Sequence, residues 1–115
     1  MYILVVYITD SSAMIDPTTL DGFEWDSANR EKDWIQHKVA WTEAEEAFLR
    51  VPLIALPDPH HSQAEKRLAL LGRTLADRRL VVVFTIRNNR IRVISARDMS
   101  KKERKMYDEA IKKNA

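Results

Sequence analysis

The chain of 115 residues contains no cysteine, which excludes disulfides, thiolate metal sites and a cysteine nucleophile and fits a reducing compartment. It has only two glycines, Gly22 and Gly72, too few for a loop that wraps backbone N–H groups around a phosphate. Long apolar runs are missing too. The opening MYILVVYI has eight residues, no basic residue before it and Thr9, Asp10, Ser11 and Ser12 after it, so it neither spans a bilayer nor has a signal-peptide layout. The expectation is a soluble, cytoplasmic protein without membrane contact. Nucleophile signatures of serine hydrolases are absent. His60-His61 has no acidic partner at ligand spacing and reads as plain surface, so neither a metal nor a cofactor is expected.

What the chain does have is enough apolar content, 45%, for one core and hence one domain. Its net charge of +2 conceals a gradient. Residues 1–58 hold 4 Lys/Arg against 11 Asp/Glu, residues 59–86 hold 5 against 2, and residues 87–115 hold 10 against 4. A basic C-terminal third suits a phosphate backbone, an acidic partner or plain solubility, and charge alone does not choose.

Residues 1–22 show no sustained period and read as a loosely attached lead-in, with Met14 an alternative start. Phe23-Glu24-Trp25 is a short strand candidate, and Asp26 stands where an N-cap accepts a backbone N–H. A helix from Ser27 to about His37 follows. Ala28, Glu31, Trp34 and Ile35 share one side of it; Asn29, Lys32, Asp33, Gln36 and His37 share the other, which is rich in groups able to do chemistry. Thr42-Glu43-Ala44-Glu45 fits a capping box opening a short helix through Phe48. Flanking prolines restrict Leu53–Leu56 to an edge strand.

Strand-like patterns then cover Lys66–Arg73, Arg79–Arg87 and Arg90–Arg97. Asn88-Asn89 makes a two-residue hairpin turn, because asparagine tolerates positive φ. That turn sets Arg87 opposite Arg90 and Leu80 opposite Arg97. Leu80, Val82, Phe84, Ile86, Ile91 and Val93 then share an apolar face with Ser95 and Arg97 at its far end, and Thr85, Arg87, Arg90 and Arg92 take the other. Ser100-Lys101-Lys102-Glu103 is a second capping box, starting a last helix whose stripe is Met106, Tyr107, Ala110 and Ile111. The expected class is α+β: a compact single domain with short N-terminal helices, an antiparallel sheet of three to four strands and a C-terminal helix.

His37 is the best acid–base candidate, since the ordinary histidine pKa of about 6.5 suits proton transfer at neutral pH. Asp33, one turn earlier, can orient it; an exposed helix-end histidine is the plainer alternative. Arg97 is either a phosphate ligand or the structural partner of Glu103, and both uses need a fixed guanidinium.

Phe23-Glu24-Trp25-Asp26, His37, Glu65 and Arg67, Leu71-Gly72-Arg73-Thr74, Val82-Val83-Phe84-Thr85, Ile91-Arg92-Val93-Ile94-Ser95-Ala96-Arg97, then Glu103-Arg104 and Tyr107, in that order, resemble the BrnT toxin family over roughly 23–110. IRVISARDMSKKERKMY is the most specific stretch. The resemblance implies a RelE-like fold for 23–115, endoribonuclease activity, and a hetero-oligomer with a BrnA-type antitoxin that also represses the operon. Three positions depart from the family: Asp33 for its asparagine, Gln36 for its lysine, Lys38 for its glycine. They put activity in question, the alternative being a degenerate toxin that serves as an antitoxin- or RNA-binding module.

RNA cleavage without a metal needs a base for the 2′-hydroxyl, cations for the phosphorane-like transition state and a proton donor for the leaving oxygen. Under this resemblance Arg67, Arg73 and Arg97 stabilise phosphate and His37 is the acid or base. Lys32, Arg92 and Arg104 contact RNA, and Tyr107 positions substrate or transfers a proton unless it is core. Glu103 is a cap and arginine orienter, or else the base.

Overall fold

The computed structural model describes residues 6–8, 21–50, 52–57 and 67–113. Its elements run β1 (Val6–Ile8), β2 (Phe23–Glu24), α1 (Ser27–His37), α2 (Trp41–Glu46), β3 (Leu53–Pro57), β4 (Leu68–Arg73), β5 (Arg79–Arg87), β6 (Arg90–Asp98) and α3 (Lys101–Lys113). They form an α+β domain on one six-stranded sheet of order β1-β3-β4-β5-β6-β2. The four central strands are the antiparallel meander expected from sequence; the two outer strands add parallel edges, β1 on β3 and β2 on β6. His60, His61, Glu65, Lys66 and Met14 lie outside the described residues.

Because β1 covers it, β3 is not the edge strand its prolines suggested. The reason is register: β1 pairs only with Leu53, Ile54 and Ala55, and Pro57, at the strand end, is never asked for an N–H on that side. Asn88 and Asn89 take φ of 53° and 62°, and Arg87 does face Arg90.

Further along, the register departs from the expectation. Val83 pairs with Ser95 but Phe84 with Val93, so Ile94 is an extra residue, a β-bulge. With a side-chain period of two, one extra residue exchanges the faces beyond it. Leu80 therefore opposes Asp98, and Arg97 opposes Val81. Ser95 and Arg97 thus leave the face of Leu80 and Val82, and Ala96 and Asp98 replace them.

The two faces carry two cores. Val39, Ala44, Ala47 and Phe48 from the α1–α2 layer pack on Leu70, Leu80, Val82, Phe84, Ile91, Val93 and Ala96. On the opposite face α3 lays Tyr107, Ala110 and Ile111 over Ile54, Leu71 and Val81. Met106, placed on that stripe by periodicity, and Ile86 at the hairpin tip are largely exposed.

Helix ends follow local chemistry. Asp26 Oδ1 accepts the Ala28 N–H at 2.8 Å. The capping box at α3 is closed in both directions: Glu103 N–H donates to Ser100 Oγ at 3.2 Å and Ser100 N–H to Glu103 Oε1 at 2.8 Å. At α2 the cap is Ala40 rather than Thr42, because Glu43 reaches back three residues to accept the Ala40 N–H at 3.1 Å. Among the described residues no helix is long and apolar enough to cross a membrane.

Candidate functional site

The bulge in β6 decides how α1 lies. An unmatched residue frees backbone carbonyls that need donors, and the polar side of α1 supplies them: Asn29 Nδ2 donates to Val93 O at 3.3 Å and Lys32 Nζ to Ile94 O at 3.2 Å. Asn29, Lys32 and Asp33 are therefore turned onto the sheet, while Gln36 and His37, at the end of the same side, stay exposed. Trp34 and Ile35 face outward, 53% and 68% exposed, with Arg30 stacked 4.5 Å from the Trp41 ring centroid. Asp33 is carried under the helix to 1% exposure, and among the described residues its carboxylate has no well-formed hydrogen bond, the Ala96 backbone being its nearest polar support. Burial raises its pKa; the Ala96 backbone and the charges of Lys32 and His37 pull the other way.

α1 ends at Lys38, which adopts the left-handed conformation, φ 55° and ψ 37°, and returns its N–H to Trp34 O at 3.0 Å. Glycine takes this helix-ending conformation most easily, and here lysine takes it instead. Arg78 caps this end. Its guanidinium donates to Lys38 O at 2.8 Å and His37 O at 3.3 Å, to Asp98 through Nε at 2.8 Å and Nη2 at 3.0 Å, and to Glu43 at 3.1 Å. A cation at the negative end of a helix, satisfying its last carbonyls, is favourable on both counts. Those bonds hold the Asp98 carboxyl below the usual carboxylate range, assisted by charge on His37 and Arg104. Both side chains thus lie within electrostatic reach of Asp98.

Arg97, next in chain to Asp98, donates to Glu103 from Nη1 at 2.8 Å and Nη2 at 2.9 Å. This fork, with the Ser100 N–H, lowers the Glu103 pKa to about 2. The Glu103 carboxylate is occupied as cap and arginine orienter; Arg97 still keeps 44% of its side chain exposed.

Of the residues singled out from sequence, His37, Arg97, Glu103 and Arg104 lie toward one end of the sheet, where α1 stops and α3 begins, His37 with Asp98 on the α1 face and Arg97 with Glu103 on the α3 face. Arg73 is at the same end one strand away, opposite Arg79. Arg67 and Arg92 are at the hairpin end: Arg67 precedes Leu68, the partner of Phe84, and Arg92 faces Thr85, four residues or about 13 Å along β5 from the Arg97 row. Arg92 is paired to Glu24 at 2.8 Å. Lys32 is bound to the bulge carbonyl. Tyr107 is core, 0% exposed, its hydroxyl donated to Pro52 O at 2.7 Å and its pKa raised by burial. A buried, committed hydroxyl is not presented to a substrate.

Sequence reasoning missed Arg78 and Asp98. Asp98 closes the same IRVISARD stretch as Arg97, and Arg78 belongs to an Arg-Arg pair entering a strand, yet neither has a local partner to mark it. Among the described residues no three His, Asp or Glu side chains gather to hold a metal.

Comparison with known proteins then fits this geometry. The crystal structure of the Brucella abortus ribonuclease toxin BrnT, at 1.1 Å resolution, matches with a TM-score of 0.52 and 24% identity over 70% of this chain and 97% of that one, a likeness of fold. None of the curated proteins matches by sequence. The family model for the ribonuclease toxin BrnT of type II toxin-antitoxin systems matches residues 25–103. With more than half of its length so matched, the chain belongs to the BrnT family of type II toxins.

Proposed function

We propose that this chain cleaves single-stranded RNA in the cytoplasm without a metal, and that a BrnA-type antitoxin neutralises it by covering the basic end of the sheet. One observation carries the reading: an exposed imidazole, His37, and the Arg104 cation lie within electrostatic reach of Asp98, and the next residue, Arg97, keeps a half-exposed guanidinium on the other face of the same sheet end. Arg97 is oriented by the two bonds to Glu103, and its half-exposed guanidinium edge beyond them suits a non-bridging phosphate oxygen whose charge grows in the transition state. His37 takes the 2′-hydroxyl proton or supplies one to the leaving 5′-oxygen. Arg104 holds the flanking phosphate. Tyr107 and Lys32 are structural in this reading, and Arg67 and Arg92 contact RNA only beyond the cleavage point.

The test is cleavage of one RNA, with and without EDTA, by the parent and by His37→Gln and Arg97→Gln variants. Each variant should lose about 10²-fold or more in rate while keeping its fold. Unchanged rates would refute the site. RNA retention with no cleavage even by the parent would establish the degenerate-toxin alternative instead.

A further inference from the structure

Beside the end of the sheet just described, the turn between β4 and β5 holds a second cluster, which shares Arg73 with the residues the resemblance pointed to but is not used by the proposed mechanism. Arg50, Arg73 and Arg79 all direct Nη1 at one oxygen, Asp77 Oδ1, at 3.3, 3.3 and 2.9 Å. They come from three places: the segment after α2, the end of β4 and the start of β5. Arg50 and Arg79 have anchors besides the Asp77 side chain. Arg50 also donates to Thr74 O at 2.9 Å; Arg79 is held by Asp108 at 3.2 Å and lies 5.9 Å from the centroid of the Tyr107 ring. Arg50 and Arg79 therefore do not depend on the Asp77 side chain for their placement.

Three guanidiniums from three segments converge on one carboxylate oxygen. Their side chains are 30%, 18% and 14% exposed, whereas Asp77 is 54% exposed. The anion thus sits as a lid on a half-buried cationic floor. Asp77 has φ of 75°, a conformation tolerated but not preferred by an L residue. Its carboxyl is held below the usual range, first by the hydrogen bond from Arg79.

We propose that Arg50, Arg73 and Arg79 form a phosphate cradle that Asp77 occupies by mimicry, and that one backbone phosphate of the RNA displaces this carboxylate when substrate binds. The proposal rests on the RNA-cleaving reading for the identity of its ligand. Geometry favours RNA: Arg79 and Arg97 lie on one sheet face at diagonal ladder positions, with α-carbons about 7–8 Å apart, so one strand can reach both. A phosphate offers several oxygens to three planar forks where the carboxylate presents one.

Two measurements test it. Inorganic phosphate binding, followed as a thermal shift, needs no turnover: Asp77→Asn should bind phosphate about tenfold tighter than the parent because the competing anion is gone, and adding Arg50→Gln should abolish the gain. RNA binding is followed in a His37→Gln background, so that the strand survives. There Arg50→Gln should lower the slope of log affinity against log salt by about 0.7, the share of one phosphate contact on a single strand. No gain in phosphate affinity with Asp77→Asn would overturn the cradle. A gain for phosphate with an unchanged RNA salt slope would overturn the RNA assignment and leave a seat for an acidic protein surface. Should cleavage itself prove absent, the phosphate measurement still decides the cradle.

Discussion

Arg97 and Glu103 are joined by two parallel N–H···O bonds of 2.8 and 2.9 Å, and the same carboxylate accepts the Ser100 N–H that starts α3. The Glu103 carboxyl is lowered from 4.5 to about 2. Its contribution is therefore complete above pH 4.5 and is lost as pH falls toward 2. Glu103→Gln should cost about 1 kcal/mol at pH 7, a value discounted for the exposure of Arg97. Urea unfolding at pH 7, 4.5 and 3 should show the difference from the parent shrinking; a constant difference would place the effect elsewhere.

Asp33 behaves with the opposite sign. Its raised pKa means the folded state holds the proton more tightly, so stability falls as pH rises from the ordinary carboxyl value through the folded one. Asp33→Asn should stabilise by about 1–2 kcal/mol at pH 7, because a buried charge whose desolvation outweighs its support is removed. The gain should be smaller at pH 4. Combining it with Gln36→Lys, which adds a cation on the exposed side, should speed RNA cleavage; an unchanged rate with folding intact would remove this helix from the catalytic site.

Lys38→Gly is expected to raise the unfolding free energy by about 0.5–1 kcal/mol, since glycine takes φ of 55° without the Cβ clash. The lost contact of Nζ with the Trp34 ring, 5.5 Å from its centroid, offsets part of this. If stability rises while RNA cleavage drops, Lys38 supplies the cation that Gln36 lacks.

Gly72 is required by packing. A Cβ there would stand 2.6 Å from Ala47 O, a backbone atom that cannot swing aside. Gly72→Ala should destabilise by about 1–3 kcal/mol through forced separation of β4 from the α2 layer, read as a lower midpoint of thermal unfolding. A neutral result would mean that this layer is not tightly seated.

We propose that residues 23–115 fold without residues 1–22. The three residues of β1 pair only with Leu53–Ala55, so removing them should leave the helices and the central strands intact. It should also bare one edge of β3, and edges invite pairing between chains. The truncated chain should keep its circular dichroism spectrum while light scattering shows more association at high concentration; loss of the spectrum would make the lead-in integral.

Much of this protein was settled by the sequence alone, wherever the signal is local. Asp26 and Ser100 cap their helices because a short polar side chain reaches N–H groups two or three residues away. Asn88-Asn89 turns the hairpin because asparagine accepts positive φ, and alternation places Ile91 and Val93 in the core. The rest depended on partners distant in the chain. A single extra residue at Ile94 moved Arg97 to the α3 face and Asp98 to the other, which no reading of β6 by itself reveals, since a bulge exists only relative to the opposing strand. The same bulge exposed carbonyls that Asn29 and Lys32 satisfy, and that is why α1 turns Asn29, Lys32 and Asp33 inward and leaves Trp34 and Ile35 in solvent, against the usual amphipathic rule. Arg78 became the hub of the candidate site for a similar reason. Its ligands, Lys38, Glu43 and Asp98, come from three segments that only tertiary folding brings within hydrogen-bond range.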